Sequence, residues 1–280
     1  MNSPLTFPQY ADWVVKYCES NDHPFIKDSG KMVAYCFELD QEMPQQYGWR
    51  LSDLEAFKNQ LEEKRSMKEK NEFYWTDQAR NVEAYSVITF WRGMELLKAA
   101  IRSLNVREVI PPAVMARSLL ELASAFLINS NTLAKTFDSW NIQENPIAVS
   151  QEIEEFILRM LWGTRLGNPE TQLKQTNCLT LIQKLSKNPN AQELLPTYEY
   201  LCEIAHPNVI GNTRFWSHID KVYDDGSERW VISRNLGTAV PTHIIDKVLW
   251  SLGWSAASIR NSFEITRQAL AKLLYKIESS

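Results

Sequence analysis

A chain of 280 residues, 44% of them hydrophobic, can bury a sizeable core, as one large domain or two modest ones, and is not dominated by disorder. Nine glycines and twelve prolines exclude a loop-rich or many-stranded β fold. A net charge of −4 gives no global attraction to nucleic acid, so any such site must be a local patch. No run of about 18 apolar residues occurs, so no transmembrane helix is expected. The start, MNSPLTFPQYADW, has neither a positive region nor an apolar one, so no secretory signal is expected. Cys18, Cys36, Cys178 and Cys202 lie far apart with no C-x-x-C pair. Cys178 and Cys202 fall on apolar helical stripes. Reduced, buried thiols in a cytoplasmic protein are the expectation.

Taken in order, Phe7 to Ser20 reads as a short helix with Tyr10, Trp13, Val14 and Tyr17 on one face. Met32 to Leu39 is an apolar run that fits a strand or a helix. Trp49 and nearby aromatics pack this region on the main body, so residues 1–50 form an N-terminal appendage. Residues 51–280 form one helical domain. Ser52-Asp53-Leu54-Glu55 is a capping box, and the helix after it carries LEEKRSMKEKNE. Its interleaved acids suit a solvated face better than a phosphate-contacting arm.

Asp77 to Leu104 reads as a long helix with a wide apolar surface that includes Val82, Ile88, Met94, Leu97 and Ile101. Pro111-Pro112 open the next helix, apolar almost all round. Helices follow over Ser150–Trp162 and Thr171–Ser186, with KNPN as a turn. From Ala191, residues Leu194, Leu195, Tyr198, Leu201, Cys202 and Ala205 recur at helical spacing, and His206 continues that buried stripe. Pro207 stops the helix. A D-G turn between aromatic and β-branched runs predicts a β-hairpin over 213–235, laid on the helical body or on a second subunit. The last helix starts at Pro241 and runs nearly to the end, with Gly253 as a candidate bend. The fold class is mainly all-α: a multi-helix bundle with one β-hairpin insertion near the C-terminal third.

Arg117, Glu121 and Ser124 make one narrow polar stripe on the apolar helix after Pro112. Charges there require partners. Two readings stand: an ion pair that sets helix register, or an arginine held by a carboxylate and aimed at an anionic ligand. His206 likewise either caps its helix, where a cation meets the C-terminal dipole, or carries protons near neutral pH. There is no P-loop, G-x-G-x-x-G, H-E-x-x-H or G-x-S-x-G sequence. Glu203 and His206 have the Glu-x-x-His spacing of di-iron bundles, but no second such pair accompanies them. No metal or cofactor is expected. Arg117, Glu121 and His206 together make a minimal kit for metal-free cleavage of RNA at its own 2′-hydroxyl.

The R-S-L-L-E of Arg117 to Glu121, followed much later by the Y-x-x-L-C-x-x-x-H-P of Tyr198 to Pro207, resembles a bacterial branch of the HEPN superfamily. The resemblance covers roughly Asp77 to Asn212. It implies a helical bundle of a kind that often dimerises; many such proteins are metal-independent ribonucleases of toxin–antitoxin, abortive-infection or phage-defence systems, and others have no known activity. Such nucleases carry an arginine a few residues before the histidine on one helix. No arginine stands there before His206, so Arg117 supplies it from another helix in this reading. His206, Arg117 and Glu121 are the candidate catalytic residues. Asn208, Arg214 and Tyr198 are the candidate substrate-binding residues. RNA or a nucleotide is the expected ligand; a second copy of the chain and a partner protein or antitoxin are the expected partners, with no membrane. The alternative is a non-catalytic helical interaction or sensor module acting through a partner, as the aromatic-rich hairpin with Trp216 and Trp230 suggests.

Overall fold

The computed structural model describes residues 9–50, 53–140, 151–164, 166–167, 173–207, 217–232 and 241–279. Among these are ten α-helices and one antiparallel hairpin, so the fold is mainly α with a single β insertion, as the sequence predicts. The helices are α1 (Asp12–Glu19), α2 (Pro24–Lys27), α3 (Ser29–Glu42), α4 (Leu54–Glu62), α5 (Met67–Asn105), α6 (Ile110–Ser139), α7 (Gln151–Trp162), α8 (Cys178–Leu185), α9 (Leu194–Ala205) and α10 (Thr242–Ser279). Strands β1 (Ser217–Val222) and β2 (Glu228–Ile232) lie between α9 and α10. The ambiguous run at Met32 is helical, inside α3.

Capping sets several boundaries differently from the sequence reading. The N-cap of α4 is Asp53, whose carboxylate accepts from the Ala56 amide at 2.9 Å. Ser52 lies outside the described residues. The reciprocal box occurs further on, at Ser66 and Glu69. The Ser66 hydroxyl accepts from the Glu69 amide at 3.1 Å, and Glu69 accepts from the amides of Ser66 (3.1 Å) and Arg65 (2.8 Å). Those amides hold the Glu69 carboxyl below the usual range. The charged run LEEKRSMKEKNE is therefore not one helix. It ends α4, turns, and begins α5. Helix α8 begins only at Cys178, because Asn177 caps it by accepting from the Leu179 amide at 3.1 Å.

The described chain sorts into two compact units whose boundaries fall inside long helices. Unit 1 comprises residues up to Glu38, Gly93–Ser124 and Ile182–Ala257. Its buried residues include Val14, Cys36, Met94, Leu97, Ile101, Leu119, Leu201 and Leu249. Asn105 clips the N-terminal segment in place: its side chain accepts from the Ala11 amide (2.8 Å) and donates to the Gln9 carbonyl (2.7 Å), and its carbonyl accepts from Trp13 Nε1 (3.1 Å). Unit 2 comprises Leu39–Arg92, Ala125–Leu181 and Ser258–Ser280. Its core joins Trp75, Val82, Leu133, Phe137, Trp140, Ile157, Leu273 and Ile277. Trp49 stacks on Trp162 at 5.6 Å and donates to Asn81 at 3.0 Å.

Some expectations need correction. Ile88 is exposed, off the buried face of α5. Only Cys18 and Cys36 are buried, and burial pushes the Cys18 thiol up to about 11. Cys178 and Cys202 are partly exposed, and all four cysteines are free. By length and composition alone, α6 is apolar enough to cross a membrane, yet 44% of its most apolar stretch is buried within the protein. A core helix meets the same test, so this feature assigns no membrane.

Gly253 marks a close approach, not a break, in α10. A Cβ there would stand 2.4 Å from the Phe25 carbonyl oxygen and 3.3 Å from Ser29 Cα, both backbone atoms that cannot swing aside. Gly253→Ala should destabilise the protein by about 1–3 kcal/mol, whereas Gly48→Ala, which meets nothing within 4 Å, should not. Paired urea melts check this; equal midpoints would show that the backbones can separate freely.

Candidate functional site

Two helices of unit 1 build the site. On α6, Arg117 and Glu121 stand one turn apart, and Arg117 Nη2 lies 3.0 Å from Glu121 Oε1. Their side chains are 29% and 27% exposed, so the pair is partly withdrawn from water. On α9, Tyr198 and Cys202 also stand one turn apart. The Tyr198 hydroxyl donates to Glu121 Oε1 at 2.7 Å, and Arg117 Nε donates to Cys202 Sγ at 3.1 Å. The guanidinium carbon lies 5.7 Å from the centre of the Tyr198 ring. Two pairs at helical spacing thus interlock.

The electrostatics follow from this geometry. Burial pulls against the charged form of Arg117, but Tyr198, Glu121 and Cys202 outweigh it and hold the guanidinium firmly protonated. Burial pushes the Tyr198 phenol upward, and the hydrogen bond to Glu121 adds to the rise, so Tyr198 stays a neutral donor. Ser124 is fully buried, and its hydroxyl has no partner among the described residues.

His206 is placed differently from the expectation. It does not continue the buried stripe; it is exposed, and it forms the C-cap of α9 with φ −88° and ψ 136°. The extended backbone, imposed by Pro207, turns it out of the helix. Its amide donates to the Cys202 carbonyl at 3.0 Å. Arg117 and His206 therefore meet the same residue, one at its sulfur and the other at its backbone. Tyr198 is buried and spends its hydroxyl on Glu121. Asn208 and Arg214 lie outside the described residues.

The role of Cys202 escaped the sequence reading, which saw only an apolar stripe. The signal available was the matched spacing of Arg117/Glu121 and Tyr198/Cys202. Unit 2 also holds an unforeseen groove of about 920 Å³ between α4 and the start of α5. Phe57 and Phe73 stack at 5.0 Å along it, Lys64 sits 5.1 Å above Phe73, and side chains of both charges line it. None of the expected site residues lines it.

No family model, curated protein or solved structure matches the chain.

The interlocked cluster makes a thermodynamic prediction. Glu121→Leu leaves Arg117 partly buried without its carboxylate, so it should destabilise more than the double variant Arg117→Met/Glu121→Leu. A double-mutant cycle by chemical unfolding should give a coupling on the order of 1 kcal/mol. Additive single effects would mean that the pair contributes nothing.

Proposed function

We propose that this is an HEPN-like helical protein that binds RNA and cleaves it without a metal, in the bacterial stress or phage-defence setting that the resemblance implies. The observation that carries the reading is the convergence on Cys202. Its sulfur accepts from Arg117, and its carbonyl accepts from the amide of a solvent-open His206. A cation held at Cys202 from α6 and an accessible imidazole four residues on from Cys202 are the groups this reading assigns to phosphoryl chemistry.

In this reading the neutral imidazole of His206 takes the proton from a ribose 2′-hydroxyl. The 2′-oxygen attacks phosphorus, and the bond to the 5′-oxygen breaks. The departing 5′-oxygen takes a proton from solvent water and the imidazolium returns its own to solvent, leaving a 2′,3′-cyclic phosphate and a 5′-hydroxyl. Arg117 carries five N–H donors; Cys202, Glu121 and Tyr198 engage part of the guanidinium, and in this reading a remaining donor meets the growing charge on the phosphoryl oxygens. Glu121 is a positioning residue that holds the guanidinium.

A second reading is favoured by one specific observation: Arg117 is already engaged by Glu121, Tyr198 and Cys202. That is how an arginine looks when it sets helix register in a non-catalytic interaction or sensor module.

The test is RNA cleavage by purified protein in EDTA, with growth arrest scored on expression. Wild type should cut and leave cyclic-phosphate ends. His206→Ala and Arg117→Ala should each lose activity by about a hundredfold or more. If wild type neither cuts nor arrests growth, the second reading stands instead.

A further inference from the structure

The β-hairpin carries an irregularity with a chemical consequence. Ile219 pairs with Trp230, Lys221 with Arg229 and Val222 with Glu228, so Asp220 is an extra residue in β1. On a regular strand, residues three apart face opposite ways. The bulge removes that opposition and brings Ile219 and Val222 to one face. Trp230 joins them opposite Ile219, and its Nε1 donates at 3.0 Å to Glu228, which stands opposite Val222. Among the described residues of the hairpin, the two cations Lys221 and Arg229 lie on the other face. There Arg229 Nε is 3.2 Å from Asp220, and Lys221 sits 4.8 Å above the Tyr223 ring.

The apolar face is bare. Ile219 is 44% exposed, Val222 61% and Trp230 49%, and every residue from 219 to 230 is exposed. A two-stranded hairpin is marginal in water and gains stability by covering such a face. The charges around the face select its cover. Glu228 sits within it, and Asp224 and Asp225 form the tip where Gly226 turns the chain at φ +81°. Among the described residues this face carries acids and no cation, so it offers RNA phosphates no partner, and a second copy would add acids of the same sign.

We propose that the Ile219–Val222–Trp230 face of the hairpin is a docking surface for a cationic amphipathic segment of a partner protein, apolar on one side and rich in lysine or arginine on the other. The apolar side covers Trp230, Ile219 and Val222. The cations meet Glu228 and the aspartates of the tip. This interface is independent of the Arg117 cluster, so it stands whether or not the protein cleaves RNA.

The experiment uses the full chain and a labelled synthetic helical peptide with leucine on one face and lysine on the other. A leucine/glutamate peptide of the same pattern is the control. Fluorescence anisotropy should show binding of the lysine peptide only. Trp230→Ala should weaken it by about tenfold or more, and so should Glu228→Lys, which keeps the apolar face intact should the tryptophan variant lose the hairpin. Glu62→Gln, an exposed acid on α4, should leave binding unchanged and so separates this face from general charge attraction. The proposal is overturned if the lysine peptide does not bind, if Glu228→Lys has no effect, or if Glu62→Gln weakens binding as much. It is equally overturned if sedimentation shows a wild-type dimer that Trp230→Ala dissociates, which would make a second copy the occupant.

Discussion

Arg117 and Glu121 sit in the largely apolar first half of α6 and are partly withdrawn from water, and a charge so placed requires a partner for every hydrogen-bonding group it cannot give to water. Much of unit 1 follows from that constraint. The pair satisfies itself only in part. The rest comes from α9, which must present a hydroxyl to the carboxylate and a soft acceptor to Nε. Tyr198 and Cys202 meet both needs because they share the four-residue spacing of the pair they serve. A rotation of α9 by one residue would break both contacts at once, so the cluster sets helix register as well as charge. Its consequence for function is positional: with the register set, the helix end falls where His206 leaves Cys202 for solvent.

The same accounting of polar groups governs the rest of the chain. The C-terminal carbonyls of α6 have no intrahelical donors. Lys276 supplies one, reaching the carbonyls of Phe137, Asp138 and Trp140 at 2.6, 2.9 and 3.0 Å. Lys272 adds an ion pair to Asp138 at 2.8 Å and holds that carboxyl below its usual range. At the start of α5, Glu69 turns back to the amides of Arg65 and Ser66. In unit 1, Asn105 does comparable work for the N-terminal segment. Lys276 and Asn105 act from distant sequence positions, whereas Glu69 acts locally.

The Arg117 cluster and the hairpin differ in what they leave unsatisfied. In the cluster, polar groups find protein partners, and what stays open is an imidazole and part of a guanidinium. In the hairpin, polar groups are met locally, by the Asp225–Ser227 turn and by Trp230 with Glu228, and what stays open is apolar surface.

Pattern and turn chemistry determined much of this protein from its sequence alone. Apolar residues at three- and four-residue steps located the long helices, Pro111-Pro112 and Pro207 marked a start and a stop, and Asp-Gly marked the hairpin turn. These signals are local, since each depends on backbone geometry within a few residues. Arg117 and Glu121 were legible as a pair for the same reason, being one turn apart. Helix starts were less legible: Asp53 caps α4, Ser66 and Glu69 form a reciprocal cap at α5, and Asn177 opens α8 at Cys178. Tertiary structure alone decided which thiol Arg117 would meet. It also decided that Gly253 makes room for Phe25, and that a bulge at Asp220 gathers Ile219, Val222 and Trp230. Each of these depends on atoms brought together from distant parts of the chain or on strand register, and one-dimensional spacing carries neither.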